Sequence, residues 1–256
     1  MYTNDEILKI AMRQSAWDLG CDMKDFLKPT NVVVRFESSP LAKKYYEEPI
    51  ACNFVSYGNN LVLSVKDEYR KIVEEYIRKY DFYHCFETPN LHWLNDRLRP
   101  LGQRVCFMAE YFLPDMKRMK RLPCDYRIQV LEQQELSMLY LPEWSNALCE
   151  KRKELDVLGV GAYDGSKLVG LAGCSADCDC MWQIGVDVLP EYRRQGIACT
   201  LTSHLAMEIL EKDRVPFYCC AWSNIRSARN ANKSGFVPAW VEMTVKPERF
   251  VEEMNR

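Results

Sequence analysis

The sequence predicts an α/β fold with two domains, and two observations support this prediction. Short apolar runs such as 184–188 and 217–222 alternate with longer segments in which apolar residues recur at helical spacing. The chain of 256 residues is also long enough for two hydrophobic cores of ordinary size. We therefore expect strands and helices to alternate in both halves of the chain.

The N-terminal half is expected to begin with a helix. Thr3 and Glu6 have the spacing of a capping box, and the amphipathic pattern after them continues to about residue 20. Ser64 and Asp67 have a similar spacing before a second helix. The apolar residues of that helix predict a core face: Tyr69, Ile72, Val73, Tyr76, Ile77 and Tyr80. Between these helices, strands are expected near 32–36, 51–57 and 61–65.

A linker is predicted at 114–124, between a smaller N-terminal α/β domain at 1–113 and a C-terminal domain at 125–256. The segment Leu113–Pro123 contains two prolines and four basic residues without sustained periodicity. A weak internal repeat relates 61–112 to 184–246. In both, a strand, a helix, a second strand and an asparagine-led helix precede a glycine and a final strand. Our hypothesis is that the N-terminal domain is a degenerate copy of the C-terminal fold, and an unrelated α/β domain is the alternative.

The C-terminal domain is expected to begin with strands that two helical segments interrupt. In order, we predict a strand at 127–131, helical segments at 132–139 and 143–153, and strands at 157–163, 168–174 and 180–188. Asp164-Gly165 and Asp177–Asp179 are the expected turns of the two hairpins that these last strands form.

The most informative segment is Arg193–Ala198 (Arg-Arg-Gln-Gly-Ile-Ala), which lies between a strand-like run and a helical run. The first N–H groups of a helix have no intrahelical partner and, together with the helix dipole, favour a phosphate group. Gly196 lets the backbone approach such a group closely, and Arg193 and Arg194 add positive charge. The segment therefore predicts a site for a cofactor that carries a diphosphate.

A further strand and helix follow this turn. Phe217–Trp222 predicts a strand, and Asn224 is expected to cap a helix that ends at Gly235. Together with the turn at 193–198, this pattern resembles the GNAT superfamily of acyl-CoA-dependent N-acyltransferases over about residues 126–246. The resemblance implies a mixed sheet that opens between the strands at 184–188 and 217–222. It also implies direct acetyl transfer from acetyl-CoA to an amine in a ternary complex.

The resemblance further implies which residues contact the cofactor. In the family, the turn binds the coenzyme A diphosphate, backbone N–H groups of the preceding strand hold the thioester carbonyl, and the asparagine-led helix flanks the pantetheine arm. Carried over to this chain, these contacts are Val186, Val188, Arg193, Arg194, Gln195, Gly196, Ile197, Ala198, Cys199, Asn224 and Ser227.

No catalytic residue can be assigned from the sequence. An amine with a pKa of about 10.4 must lose a proton before it attacks, which costs about 4–5 kcal/mol at pH 7. Family members often have a Glu or His on the strand that corresponds to 182–188. Here Asp187 is the only titratable group on that strand, and alternation puts it on the face opposite Trp182 and Ile184. Family members also often have a Tyr where this chain has Ala231.

Several residues are candidates for the acceptor pocket. The residues considered to line it are Glu143, Trp144, Trp182, Cys220 and Trp222. The remaining candidates for a catalytic role are Glu143, Glu150, Tyr218, Cys219 and Cys220. Each has a structural alternative, because helix carboxylates are usually solvated and aromatic or cysteine residues of strands usually belong to the core. His204, beside the apolar stripe of its helix, is interpreted as a partly buried structural histidine.

Composition narrows the range of partners. The net charge of −2 argues against a nucleic-acid binder. The sequence contains no run of 18 or more apolar residues, so no membrane-spanning helix is predicted. The first residues lack the pattern of a secretory signal, so twelve cysteines indicate the cytoplasm rather than a disulfide framework. No metal site is predicted, because Cys174, Cys178 and Cys180 have no histidine near them in sequence.

These observations predict a cytoplasmic N-acetyltransferase that acts on a small-molecule or peptide amine, with a homodimer as the default assembly. The alternative, from a different class, is a coenzyme A-binding regulatory or scaffold module without catalysis. The lack of an evident base and the alanine at position 231 favour this alternative.

Overall fold

The chain alternates between two structural units in the computed structural model, which describes residues 2–44 and 50–256. Unit 1 consists of the residues up to Ile10 and of Tyr111–Pro238, and unit 2 consists of Ala11–Glu110 and Ala239–Arg256. These units differ from the expected consecutive domains at 1–113 and 125–256. The sequence patterns did not reveal that segments distant in the chain complete each unit.

Among its described residues, unit 2 contains a mixed sheet and three complete α-helices. Its elements are part of α1 (Asn4–Leu19), β1 (Val32–Arg35), β2 (Cys52–Ser56), β3 (Val62–Val65), α2 (Arg70–Lys79), α3 (Thr88–Leu98), part of β4 (Gln103–Pro114), part of β10 (Phe236–Pro247) and α7 (Glu248–Met254). The strand order is β1-β3-β2-β10-β4, with β1 parallel to β3 and β2 antiparallel to both β3 and β10. The three strands expected in this half are therefore confirmed.

The apolar stripe of α2 is confirmed as a core face. Val73 and Tyr76 are fully buried, and they pack in one cluster with residues of α3 and of the sheet, such as Leu94 and Phe54. The expected cap at Ser64 is wrong. Ser64 is a buried residue of β3, and a 3₁₀ turn at Asp67–Tyr69 precedes α2 instead.

The capping box of α1 is confirmed. Thr3 N donates to Glu6 Oε2 at 2.7 Å, and Glu6 N donates to Thr3 Oγ1 at 3.3 Å.

The internal repeat stays a hypothesis. The strand expected between α2 and α3 is replaced by a 3₁₀ turn at Phe82–His84. Gly102 and Gly235 do match, because each has a positive φ and precedes a long strand.

Unit 1 carries the residues of the predicted cofactor site. Its elements are the start of α1, the end of β4, β5 (Arg127–Glu132), α4 (Gln133–Leu136), β6 (Asp156–Asp164), β7 (Lys167–Ser175), β8 (Met181–Val188), α5 (Ile197–Glu211), β9 (Val215–Cys220), α6 (Ile225–Lys233) and the start of β10. The order is β4-β9-β8-β7-β6-β5, antiparallel from β5 to β8 and parallel between β8 and β9. The expected mixed sheet is thus present.

The second helical segment expected in this unit is wrong in extent. Residues 143–153 form two separate 3₁₀ helices, Pro142–Trp144 and Glu150–Leu155, and α4 is shorter than expected. The cause lies in the hydrogen bonds. The backbone N–H groups of Asn146 and Ala147 donate to Asp187 and not to a preceding turn of helix.

The predicted linker packs along α5 and is not an open connector. Leu122 N donates to Ser203 Oγ at 3.1 Å, and Thr200 Oγ1 donates to the carbonyl of Pro123 at 2.9 Å. His204 Nε2 lies 2.9 Å from the Leu122 carbonyl oxygen, which agrees with its interpretation as a partly buried structural residue. These contacts join 114–124 to the core of unit 1.

Candidate functional site

The first feature of the site is a gap in the sheet between β8 and β9. The parallel pairing of these strands runs from Met181 opposite Val215 to Ile184 opposite Tyr218. Beyond Ile184, residues up to Val188 continue to pair with β7. We call the space between 185–188 of β8 and 219–220 of β9 the β8–β9 gap, and it lies where the sequence placed an opening of the sheet.

The second feature is the turn that enters α5. Gly196 is the N-cap of α5 and has a left-handed backbone (φ 87°), and Arg194 also has a positive φ of 67°. The first helical hydrogen bond joins Thr200 N to Gly196 O, so the amides of Ile197, Ala198 and Cys199 precede it. The first turn contains no acidic residue, and no side chain of the N-cap satisfies these amides. The helix start therefore has the electrostatics of an anion site.

Open space lies in front of this turn. A Cβ atom added at Gly196 would meet nothing within 4 Å. The site thus leaves room for a ligand, and the positive φ favours glycine at this position independently of the ligand. The open space at Gly196 is compatible with a diphosphate group bound at the backbone amides of residues 197–199.

The two arginines of the turn have different roles in the structure. Arg193 Nε donates to the carbonyl oxygen of Val188 at 2.9 Å and so holds the end of β8. Arg194 is exposed beside the helix start. Gln195 Oε1 accepts a hydrogen bond from the Tyr126 hydroxyl at 2.6 Å. Arg194 is consequently the better placed of the two cations for an anionic ligand.

The remaining predicted cofactor residues lie on both sides of the gap. Val186 and Val188 are half-buried and pack against the hydrophobic cluster that contains Ile197, so their side chains face α5. Ala198 and Cys199 are half-buried in the first turn of α5. Ile197 is buried in the same cluster, so its side chain is not available to a ligand.

The asparagine-led helix forms as expected. Asn224 is the N-cap of α6, and its Oδ1 accepts from Ser227 N at 3.2 Å. The Ser227 hydroxyl lies 2.7 Å from the hydroxyl of Tyr218 on β9. Burial raises the pKa of Tyr218, so this phenol stays protonated at neutral pH. Gly235, with φ 96°, follows the end of α6.

The structure does not bring the predicted acceptor-pocket residues together. Trp144 is buried in a cluster with Leu136 and Leu171, whereas Trp182 and Cys220 pack in the separate cluster of α5. Three of the candidates are exposed on loops or short 3₁₀ helices: Glu143, Glu150 and Trp222. Alternation along neighbouring strands accounts for the separation of the two clusters, because adjacent residues such as Leu171 and Ala172 point to opposite faces.

Sequence reasoning missed the role of Asp187. Its carboxylate accepts three hydrogen bonds, from Asn146 N, Asn146 Nδ2 and Ala147 N, at 2.7–2.9 Å. Two glycines directly opposite each other, Gly173 and Gly185, lie beneath the same segment. A glycine inside a strand often marks a close backbone approach, and these two glycines were the available signal of this contact.

Of the other two strand candidates, Tyr218 packs in the cluster of α5, whereas Cys219 contacts a residue on the face on which Asp187 lies. Gln183 Nε2 donates to Cys219 Sγ at 3.3 Å across the last paired residues of β8 and β9. Ala231, at the position where the resemblance implies a tyrosine, is fully buried in the core of unit 1.

Within residues 2–44 and 50–256, no helix is long and apolar enough to cross a bilayer.

A mixed sheet that opens beside an uncapped, glycine-led helix defines an α/β protein with a helix start suited to an anionic ligand. A family model described as GNAT acetyltransferase matches residues 62–239, and the chain belongs to this family. The match begins well before the region at 126–246 in which the sequence pattern was recognised. It therefore includes part of the N-terminal half.

Solved structures with similar folds include other GNAT proteins. A GNAT-family protein from Novosphingobium aromaticivorans is 18% identical, with a TM-score of 0.44 over 56% of this chain and 66% of its own. A GCN5-related N-acetyltransferase-like protein from Streptococcus suis is 19% identical, with a TM-score of 0.45 over 62% and 69%. An acetyltransferase from Colwellia psychrerythraea is 14% identical, with a TM-score of 0.41 over 62% and 63%. The chain spans about two thirds of the length of each, and no curated protein matches it significantly.

Proposed function

We propose that this protein is an N-acetyltransferase that moves the acetyl group of acetyl-CoA directly to a primary amine. One observation carries the proposal. The left-handed Gly196 turn opens an uncapped helix beside the point where β8 leaves β9. Membership of the GNAT acetyltransferase family supports the reaction class.

The residues of unit 1 fit the cofactor in charge and in shape. The amides of 197–199 and the exposed Arg194 would hold the diphosphate, and the space in front of Gly196 would admit it. The backbone of 185–188 would orient the acyl end in the β8–β9 gap, with Asn224 and Ser227 on the side of α6. When bound, acetyl-CoA supplies an activated acyl carbon. Proximity to a held amine is the main contribution of such a site.

The test is isothermal titration calorimetry with acetyl-CoA and with free coenzyme A. The wild type should bind both at about one to one, and Gly196→Leu should weaken binding at least tenfold. The matched control is Gly102→Leu, because Gly102 also has a positive φ and open space around its Cβ position but lies in unit 2. If the Gly196 variant is folded and binds like the wild type, the proposed cofactor site is wrong.

The alternative is a coenzyme A-binding module without catalysis, acting as a regulator or scaffold. Two observations favour it: Asp187 already accepts three hydrogen bonds, and Ala231 is buried. Release of free thiol from acetyl-CoA in the presence of a panel of small-molecule and peptide amines distinguishes the two functions. Release above the background rate supports the transferase, and tight binding without release supports the module.

A further inference from the structure

The carboxylate of Asp187 connects β8 to a segment far from it in sequence. Asp187 Oδ2 accepts from Asn146 N at 2.8 Å and from Ala147 N at 2.9 Å, and Oδ1 accepts from Asn146 Nδ2 at 2.7 Å. Hydrogen bonds to a charged acceptor are among the stronger ones in proteins. They fix residues 146 and 147, here called the 146–147 segment, in one orientation on the sheet.

A glycine pair lets this segment lie directly on the strands. Gly173 of β7 and Gly185 of β8 are opposite each other in the sheet. A Cβ atom at Gly185 would collide with the carbonyl oxygen of Asn146, and one at Gly173 would collide with that of Ala147. Only glycine at both positions permits this approach of backbone to backbone.

The position of the segment relates it to the β8–β9 gap. Gly185 is the first residue of β8 after the pairing with β9 ends at Ile184. Val186 and Val188 face α5, so Gly185 and Asp187 lie on the opposite face of the sheet. Asn146 lies over Gly185 of β8 and Ala147 lies over Gly173 of β7, so the 146–147 segment borders the beginning of the gap on the face opposite α5.

We propose that Asp187 is a positioning residue that holds the 146–147 segment against β7 and β8 at the edge of the β8–β9 gap and so limits the approach of water to the acyl group bound there. This inference rests on the proposed function, because it assumes that the acetyl end of the cofactor occupies the gap. Without the segment, water would add to the thioester carbon and break the C–S bond, giving acetate and coenzyme A with release of a proton.

The experiment compares acetyl-CoA hydrolysis in the absence of any amine with amide hydrogen exchange in residues 144–148. Asp187→Ala removes both accepting oxygens, so that Asn146 N, Asn146 Nδ2 and Ala147 N lose their partner. We expect faster exchange in 144–148 and at least threefold faster release of coenzyme A, with acetyl-CoA affinity within twofold of the wild type. Asp187→Asn is the conservative variant: its amide oxygen can accept from both backbone N–H groups while the Asn146 amide rotates to accept from its nitrogen, so both rates should stay near those of the wild type.

Two further variants keep the result decisive. Asp179→Ala makes the same chemical change at an exposed position of the β7–β8 hairpin and should leave both rates unchanged. Asn146→Ala removes one hydrogen bond at an exposed side chain, so it should give an intermediate effect even if Asp187→Ala does not fold.

The outcomes separate this inference from the proposed function. Normal acetyl-CoA binding with unchanged hydrolysis in Asp187→Ala and Asn146→Ala would overturn the role of Asp187 alone. Hydrolysis as fast in Asp187→Asn as in Asp187→Ala would also overturn it, because the hydrogen bonds to the 146–147 segment would then not be the cause. Absence of acetyl-CoA binding by the wild type would refute the proposed function, and this inference with it.

Discussion

The hydroxyl groups of Tyr218 and Ser227 lie 2.7 Å apart, and they join β9 to α6 beside the β8–β9 gap. The sequence named Ser227 as a cofactor contact and Tyr218 as a weak catalytic candidate, without relating the two. The hydrogen bond gives Tyr218 a structural role, since a buried phenol needs a partner for its hydroxyl group.

A double-mutant cycle should measure this hydrogen bond. Tyr218→Phe and Ser227→Ala should each lower the free energy of unfolding by about 1 kcal/mol. Each substitution removes one of the two hydroxyl groups and so takes away the hydrogen-bond partner of the other. The double variant should lose less than the sum, with a coupling of about 1 kcal/mol. Urea unfolding at pH 7 gives these values, and strict additivity would show that the two hydroxyls do not interact.

Ala231 should not accept the tyrosine that the family resemblance implies. The residue is fully buried in the core of unit 1, so Ala231→Tyr should cost about 3 kcal/mol or prevent folding. The control Arg229→Tyr, on the exposed face of α6, should change stability by only about 0.5 kcal/mol. A stable Ala231→Tyr protein with faster acetyl transfer would contradict this reading of the position.

Asp156 should make the stability of unit 1 depend on pH. Burial raises the pKa of its carboxyl from 3.8 to about 6, although Cys149 N and the Tyr140 hydroxyl donate to it. The folded state then holds a proton that the unfolded state has lost, so the contribution of Asp156 is present below about pH 4 and falls as the pH rises through 6. Urea unfolding from pH 4 to 7 should show a loss of about 1–2 kcal/mol that is smaller in Asp156→Asn. Equal pH profiles for the two proteins would argue against a perturbed Asp156.

Glu242 should have a similar effect in unit 2. Its side chain is buried beside three polar residues: Asp18 of α1, Asn53 of β2, and Lys43. Asn53 Nδ2 donates to Glu242 Oε1 at 2.9 Å, and Lys43 Nζ lies 3.8 Å from Glu242 Oε2. Burial raises the pKa of this carboxyl from 4.5 to about 7, and Lys43 only partly opposes the increase.

As with Asp156, the folded state holds a proton that the unfolded state has lost, so the contribution of Glu242 to stability falls as the pH rises. Wild-type stability should fall by about 2 kcal/mol as the pH rises from 5 to 8, and Glu242→Gln should remove much of that slope while keeping the acceptor for Asn53. The exposed Glu252→Gln serves as the control and should leave the slope as it is. A Glu242→Gln protein with the wild-type slope would assign the pH dependence to another group.

Local patterns predicted much of unit 1 because their causes are local. The β-strands at 157–163, 168–174 and 180–188 lie within about two residues of β6, β7 and β8, since alternation and the Asp164-Gly165 turn are properties of neighbouring residues. The turn at Gly196 is likewise determined by a single glycine with a positive φ.

Long-range contacts account for what the sequence did not predict. The helical pattern at 143–153 is interrupted because Asp187, some 40 residues away, binds the N–H groups of Asn146 and Ala147. The division into two consecutive segments differs from the observed units for the same kind of reason, because residues 241–245 of β10 pair with β2 in unit 2. Neither contact leaves a periodic signal in the sequence.

The pairing of β2 with β10 has a consequence for synthesis on the ribosome. The partner strand of β2 is translated only after all of 111–238, so the sheet of unit 2 stays incomplete while unit 1 emerges. At about 5–20 residues per second, this interval is on the order of ten seconds. During it, the edge of β2 that later pairs with β10 lacks that partner strand and can pair with a strand of another chain.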